Sequence, residues 1–297
     1  MKKKISISGG RVQATFGCEE ALRILKRAGF DGIDFDLDCF RGNGKLPDIV
    51  NMPHDEFVAY FKNVRSVADE IGLEIPTVHS NLDGYVKDVE RNEWLRAKAK
   101  RDLEAASILG AKYCVIHSVS NLRWGLDADP NILHQLNQKM YEDFTPWAEE
   151  FGVCLTLESF GSTTVNGVRG YDYFANHKAM LHEYDSLKTE YKAFCLDSGH
   201  TNVAVGGGCL PVPDFIRYFG SRIKMLHLHD NDGQNDQHLI PGFGYIDWPA
   251  VFDALEEIGY DGYYNYELVL KFGDCLEDSV MFLGKFLRMF TDKKGRI

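Results

Sequence analysis

Ten imidazoles and carboxylates stand where short apolar runs give way to polar loops, or in the loops themselves. They are His79, His117, Glu158, Asp197, His200, His227, His229, Asp236, His238 and Glu267, and they include six of the chain's ten histidines. Carboxylates gathered in a buried place without partners are very costly. No Lys or Arg stands at the ends of the apolar runs to neutralise them; a divalent cation would. Carboxylate with imidazole suits Mn, Mg, Co or Zn, and a set without thiolates argues against a closed structural zinc site. Taken singly, His79 or His117 reads as a hydrogen-bonded core residue and Glu158 as half of a structural ion pair. Convergence from six runs is what points to one divalent ion.

The elements that must bring these residues together recur in a fixed order: an apolar run, a polar loop, then a stretch of helical spacing. Eight such runs are present: 4–8, 32–37, 73–79, 112–119, 153–159, 193–198, 222–229 and 262–268. Between them, Phe57, Phe61, Val64, Ala68 and Ile71 share one helical face, as do Leu95, Ala99, Leu103 and Ala106. Gly29, Gly72, Gly110, Gly152 and Gly259 each precede a run by a few residues at most, where a left-handed turn closes a helix. Strict alternation implies a parallel sheet, and eight units in 297 residues predict a closed α/β (β/α)8 TIM barrel, a single domain over residues 1–297. An open doubly wound sheet is disfavoured because no GxGxxG follows the first run, and Gly206-Gly207-Gly208 reads as a turn.

Barrel enzymes hold their chemistry at the carboxyl ends of the strands. Period-two alternation places Cys154, Thr156 and Glu158 on one face of the fifth strand. It turns His227 and His229 toward the axis of the seventh, and Glu267 to the Asn265 side of the eighth. Asp34, Asp36 and Asp38 alternate along the second strand, where reaching the site and capping a loop are both open to them.

Composition narrows the function classes. A formal charge of −11, from 33 Lys plus Arg against 44 Asp plus Glu, gives no electrostatic reason to bind nucleic acid or an anionic membrane. No apolar run approaches the ~18 residues of a membrane span. Seven cysteines without CxxC spacing read as reduced thiols, which suits a cytoplasmic protein. A homo-oligomer is compatible with the composition.

With these residues in hand, the sequence resembles the xylose isomerase-like TIM barrel superfamily, which contains sugar isomerases and epimerases, endonuclease IV and inosose dehydratase. The resemblance covers nearly the whole chain and is most specific at residues 155–159, 195–200 and 227–248. By analogy with the ketose 3-epimerases, it implies one metal held by Glu158, Asp197, His229 and Glu267, with His227 as the rival for the seventh strand, and His200 touching substrate. Those epimerases also carry an arginine after the seventh strand, where this chain has Asn231-Asp232-Gly233-Gln234. The larger three-zinc pattern of endonuclease IV finds counterparts too, adding His79, His117, His200, Asp236 and His238 as an extra-metal set. The favoured expectation is a metal-dependent isomerase or epimerase of carbohydrate metabolism, acting on a sugar or sugar phosphate. Glu158 and Glu267 would exchange a proton beside a carbonyl while the metal stabilises an enediolate. His200, His117 and His79 would contact the substrate, Trp124 would close over a sugar face, and Asp236 and His238 would arrange the loop after the seventh strand. The alternatives are an endonuclease IV-like zinc phosphodiesterase and an inosose dehydratase-like lyase.

Overall fold

The computed structural model of the chain describes residues 2–42, 44–80 and 83–296. Eight parallel strands form the barrel: β1 (Ile5–Ser8), β2 (Gly32–Asp36), β3 (Glu74–His79), β4 (Tyr113–Val115), β5 (Cys154–Glu158), β8 (Lys192–Asp197), β9 (Ile223–His227) and β10 (Tyr264–Tyr266). They lie in the order β10-β1-β2-β3-β4-β5-β8-β9. A parallel bridge between Leu228 and Tyr266 closes the ring. β6 (Ser162–Val165) and β7 (Val168–Tyr171) form a separate antiparallel hairpin.

Around the barrel run α1 (Gly10–Phe16), α2 (Cys18–Ala28), α3 (His54–Ile71), α4 (Val89–Leu109), α5 (Asn121–Trp124), α6 (Pro130–Phe151), α7 (His177–Ser186), α8 (Ser198–Ala204), α9 (Val212–Phe219), α10 (Trp248–Glu257) and α11 (Leu276–Asp292). The eight apolar runs are the eight barrel strands. Gly29, Gly72, Gly110, Gly152 and Gly259 all have positive φ, as the closing turn of a helix requires. The hairpin is a departure from strict alternation. Its residues, Ser-Thr-Thr-Val and Val-Arg-Gly-Tyr, are too short and polar to stand out beside barrel strands. The strand in the 112–119 run is also only three residues long, because His117 and Ser118 already belong to the loop at the barrel mouth. No helix among the described residues is long and apolar enough to cross a membrane.

Candidate active site

Glu158 ends β5 with its side chain 1 % exposed, and three imidazoles surround it. His227 Nδ1 lies 2.6 Å from Oε1, while His117 Nε2 and His79 Nε2 lie 2.9 and 3.7 Å from Oε2. His79 is turned by its Nδ1, 2.9 Å from the Ser80 carbonyl, and its ring stacks on His227 at 5.4 Å. Burial alone would push the Glu158 carboxyl up; the charges and hydrogen bonds of His227, His117 and His79 outweigh it and hold the group well below the usual range. The same acids act in reverse on the imidazoles. Burial disfavours charged His79, yet Glu158 raises it to about 10. His227 is likewise raised despite burial, with Cys195, Glu267 and Glu158 around it.

Glu267 follows β10 and is fixed by its backbone N–H, which donates to Leu228 O at 3.2 Å. Its Oε2 lies 3.3 Å from His227 Nδ1. Two carboxylates from strands far apart in the chain therefore face one imidazole nitrogen. The far nitrogen, His227 Nε2, lies 3.3 Å from Asp34 Oδ2 without an aligned hydrogen bond. So Asp34 is the member of the β2 triplet that reaches the site. Asp36 instead caps the following loop, accepting from the backbone N–H groups of Asp38 at 2.7 Å and Cys39 at 3.3 Å. Asp38 pairs with Arg41.

Asp197 ends β8 and caps α8, its Oδ1 accepting the His200 N–H at 2.6 Å. Its Oδ2 lies 3.0 Å from His229 Nε2. His229 stacks on His238, ring centroids 3.8 Å apart and planes at 10°. Asp236 Oδ2 stands 3.2 Å from both His200 Nε2 and His238 Nε2. Groupings compact enough to share an ion include His79 with His117 and Glu158, His79 with His227 and Glu267, His229 with His238 and Glu267, and His200 with Asp236 and His238. His238 holds φ +47, a left-handed conformation uncommon for a residue with a Cβ. The donor set fits a divalent cation. Oxygen and imidazole donors predominate, and His227 Nε2 and His229 Nδ1 are buried polar atoms without an aligned hydrogen bond.

Several residues differ from, or add to, the sequence reading. Cys195 Sγ stands within reach of Glu158 and His227, so a thiol does enter the cluster. Burial pushes that thiol far up and keeps it protonated. Trp124 donates its indole N–H to the Tyr85 carbonyl at 2.9 Å and packs beneath Lys87. That commits its polar edge to the loop before α4.

Asp230 was missed. It accepts from the backbone N–H groups of Asn231, Gly242 and Ile246 and from the Trp248 indole at 2.8 Å, and so fixes the loop that carries Asp236 and His238. The available signal was an aspartate directly after the His-Leu-His pattern with a Trp eighteen residues on. Phe160 was missed as well; it stacks on His200 at 5.2 Å and meets His117 edge-on at 4.8 Å.

A closed parallel barrel with its imidazoles and carboxylates at one end defines the class. The chain belongs to the xylose isomerase-like TIM barrel family, whose sequence model matches residues 22–271. It is similar to fructoselysine 3-epimerase of Escherichia coli O157:H7, 23 % identical over 256 residues, covering 84 % of this chain and 85 % of that one. It is 25 % identical over 263 residues to 3-dehydro-D-guloside 4-epimerase of E. coli K12, covering 84 % and 86 %. It is also similar to a probable endonuclease 4 of Staphylococcus aureus strain Newman, 27 % identical over 207 residues, covering 65 % and 64 %. Among solved structures, a D-tagatose 3-epimerase-like protein superposes with TM-score 0.70 at 21 % identity over 98 % of this chain and 99 % of that one. The IolI protein with a bound zinc atom gives TM-score 0.70 at 17 % identity over 97 % of each.

Proposed function

We propose that the chain is a metal-dependent sugar epimerase or isomerase that moves a proton at a carbon beside a carbonyl. The observation that carries this reading is the facing of Glu158 and Glu267 on His227 Nδ1, at 2.6 and 3.3 Å. Two carboxylates at the ends of separate strands are thereby aimed into one small volume, as removal and return of a proton on two sides of a sugar require. Glu158, Asp197, His229 and Glu267 would hold one divalent ion, with His227 orienting the two glutamates. When bound, that ion supplies Lewis-acid stabilisation of the charge that develops on the carbonyl oxygen. His200 and His117 would contact the substrate's hydroxyl groups, with Phe160 stacked on the His200 ring and edge-on to His117. The epimerases among the relatives support this chemistry. The test is a screen of free, substituted and phosphorylated ketoses for exchange of carbon-bound hydrogen with heavy water. No exchange on any ketose, with metal supplied, defeats the reading.

A second reading rests on the His79–His117–Glu158 and His200–Asp236–His238 groupings, which would let the site hold three ions as a phosphodiesterase of the endonuclease 4 kind. Its mark would be three bound ions and cleavage of abasic DNA. The −11 charge weighs against a polyanionic substrate.

A further inference from the structure

Beside the carboxylate cluster, between the loops after β4, β5, β8 and β9, lies a cavity of about 230 Å³. His200 and Asp236 form its inner end, and neither Glu158, Asp197, His229 nor Glu267 lines it. Its far walls are Leu126, Phe160 and Tyr171, with Asn121 and Asp172 between them. At ~30 Å³ per water-sized group, it has room for roughly seven or eight non-hydrogen atoms beyond a ring seated at the carboxylates.

The walls are built, not incidental. The β6–β7 hairpin that supplies Tyr171 rests on contacts that only glycine permits. A Cβ on Gly170 would stand 2.5 Å from Leu126 Cδ2, and one on Gly207 2.5 Å from Tyr171 Cγ. The glycine run at 206–208, which the sequence presents as a bare turn, is the floor on which the tyrosine ring lies. Asn121 is only 8 % exposed, and its Oδ1 has no hydrogen-bond partner among the described residues. A buried acceptor left unsatisfied is costly, and a ligand's donor in the cavity reaches this closed-off oxygen once the Asn121 side chain turns toward it. Asp172 is already committed, accepting from Ser120 Oγ at 2.5 Å and Phe174 N–H at 3.1 Å. No Lys or Arg lines the cavity among the described residues. The nearby Arg169 is spent on Ser162 Oγ, at 3.0 Å, and on the Tyr171 ring.

We propose that this cavity is a subsite for an uncharged substituent carried by the sugar, one with an apolar face and a hydroxyl or N–H that donates to Asn121 Oδ1. The inference rests on the proton-transfer reading above and narrows it: the substrate is a substituted ketose, neither a free sugar nor a phosphate ester. Asn121, Tyr171 and Asp172 also wall an outer cavity of about 400 Å³, which gives a longer substituent room to continue.

The experiment uses the metal-loaded full chain and compares three ketose probes: unsubstituted, phosphorylated, and bearing a neutral hydroxyphenyl or hydroxyalkyl group. Solvent hydrogen exchange and calorimetric binding are both read. The neutral substituent should raise kcat/KM and tighten binding ~10-fold or more over the unsubstituted ketose, as burial of two or three methylene equivalents allows. In Leu126→Trp, which fills the cavity, that preference should collapse toward one. In Asn121→Ala, the advantage of a substituent with a hydroxyl over one without should vanish. Thermal melting of both variants establishes that they fold. Binding preference without exchange on any probe would keep the subsite and defeat the reaction. Equal binding of substituted and unsubstituted ketose, a preference for the phosphate ester, or a preference that survives Leu126→Trp would overturn the subsite.

Discussion

Gly199 vacates the space that the His229 imidazole occupies: a Cβ built on Gly199 would fall 1.9 Å from His229 Cε1. The glycine sits in the first turn of α8, two residues past Asp197, so the aspartate and the histidine approach each other across it. Gly199→Ala should therefore turn His229 away from Asp197 and lower divalent-ion affinity ~10- to 100-fold, the scale seen when the support of a ligand is disturbed. Overpacking at this buried position should cost about 1–3 kcal/mol, offset in part by helix propensity. Weakened metal binding in a variant that still melts cooperatively separates the steric effect from simple unfolding, and unchanged affinity would refute it.

That glycine illustrates what the sequence could and could not reveal. The barrel was legible because helical and strand periods alternate eight times with glycines at the joints. The placement of His79, His117, Glu158, Asp197, His227, His229 and Glu267 at or just past the strand ends was legible because alternation and strand length can be read from the apolar runs. Pairings were not. Which acid meets which imidazole depends on strand stagger, and alternation says only that both point inward. Asp34 reached His227, and Asp36 turned to the loop, though both lie on the same face of one strand. Asp230 and the hairpin were harder to read for another reason: most of their partners are backbone groups, and for Asp230 only the Trp248 indole N–H leaves a residue-type signal.

Glu158→Gln keeps the length of the side chain and one acceptor oxygen while removing the basic carboxylate. With Glu158 as an acid/base group, solvent exchange should fall ~100- to 10,000-fold and stay low at saturating Mn, Co, Mg or Zn. Recovery of exchange at high metal would leave Glu158 as a ligand and strike it from the proton-transfer pair.

Loading with metal should stabilise the fold. An ion at ~100 times its dissociation constant contributes about 2.7 kcal/mol, which for a chain of this size raises Tm by roughly 5 °C. Chelation should reverse the shift. The ions bound per chain, counted by elemental analysis, then distinguish one ion at Glu158, Asp197, His229 and Glu267 from three ions that also occupy the flanking groupings.

Burial pushes the Asp36 carboxyl up to about 6, against an unfolded value of ~3.9. The folded state thus holds this proton more tightly than the unfolded chain. The carboxyl's contribution to stability falls as pH rises through that interval and is level above it, by up to about 3 kcal/mol. Asp36→Asn keeps an acceptor for the Asp38 and Cys39 amides without the titration. Its unfolding free energy should gain on the wild type between pH 4 and 7; parallel curves would show that Asp36 titrates normally.

Lys98 and Asp102 form an ion pair on α4 with both side chains fully buried. Lys98 Nζ also donates to Leu37 O at 2.9 Å, and Ser80 Oγ donates to Asp102 Oδ2 at 2.5 Å. The pair thus ties the helix to the ends of β2 and β3, next to His79. Burial raises the Asp102 carboxyl even with the lysine beside it. Removing the lysine leaves the acid without its counter-charge, so Lys98→Met should cost about 3–5 kcal/mol in chemical denaturation. An acid raised in the folded state loses stability as pH increases, so the deficit should be larger at pH 8 than at pH 5. The double variant Lys98→Met/Asp102→Leu removes both charges and should recover most of the loss, since a buried pair replaced by apolar groups is often near neutral. If the double variant is as unstable as the single one, the hydrogen bonds to Leu37 and Ser80, and not the ion pair, are what the position supplies.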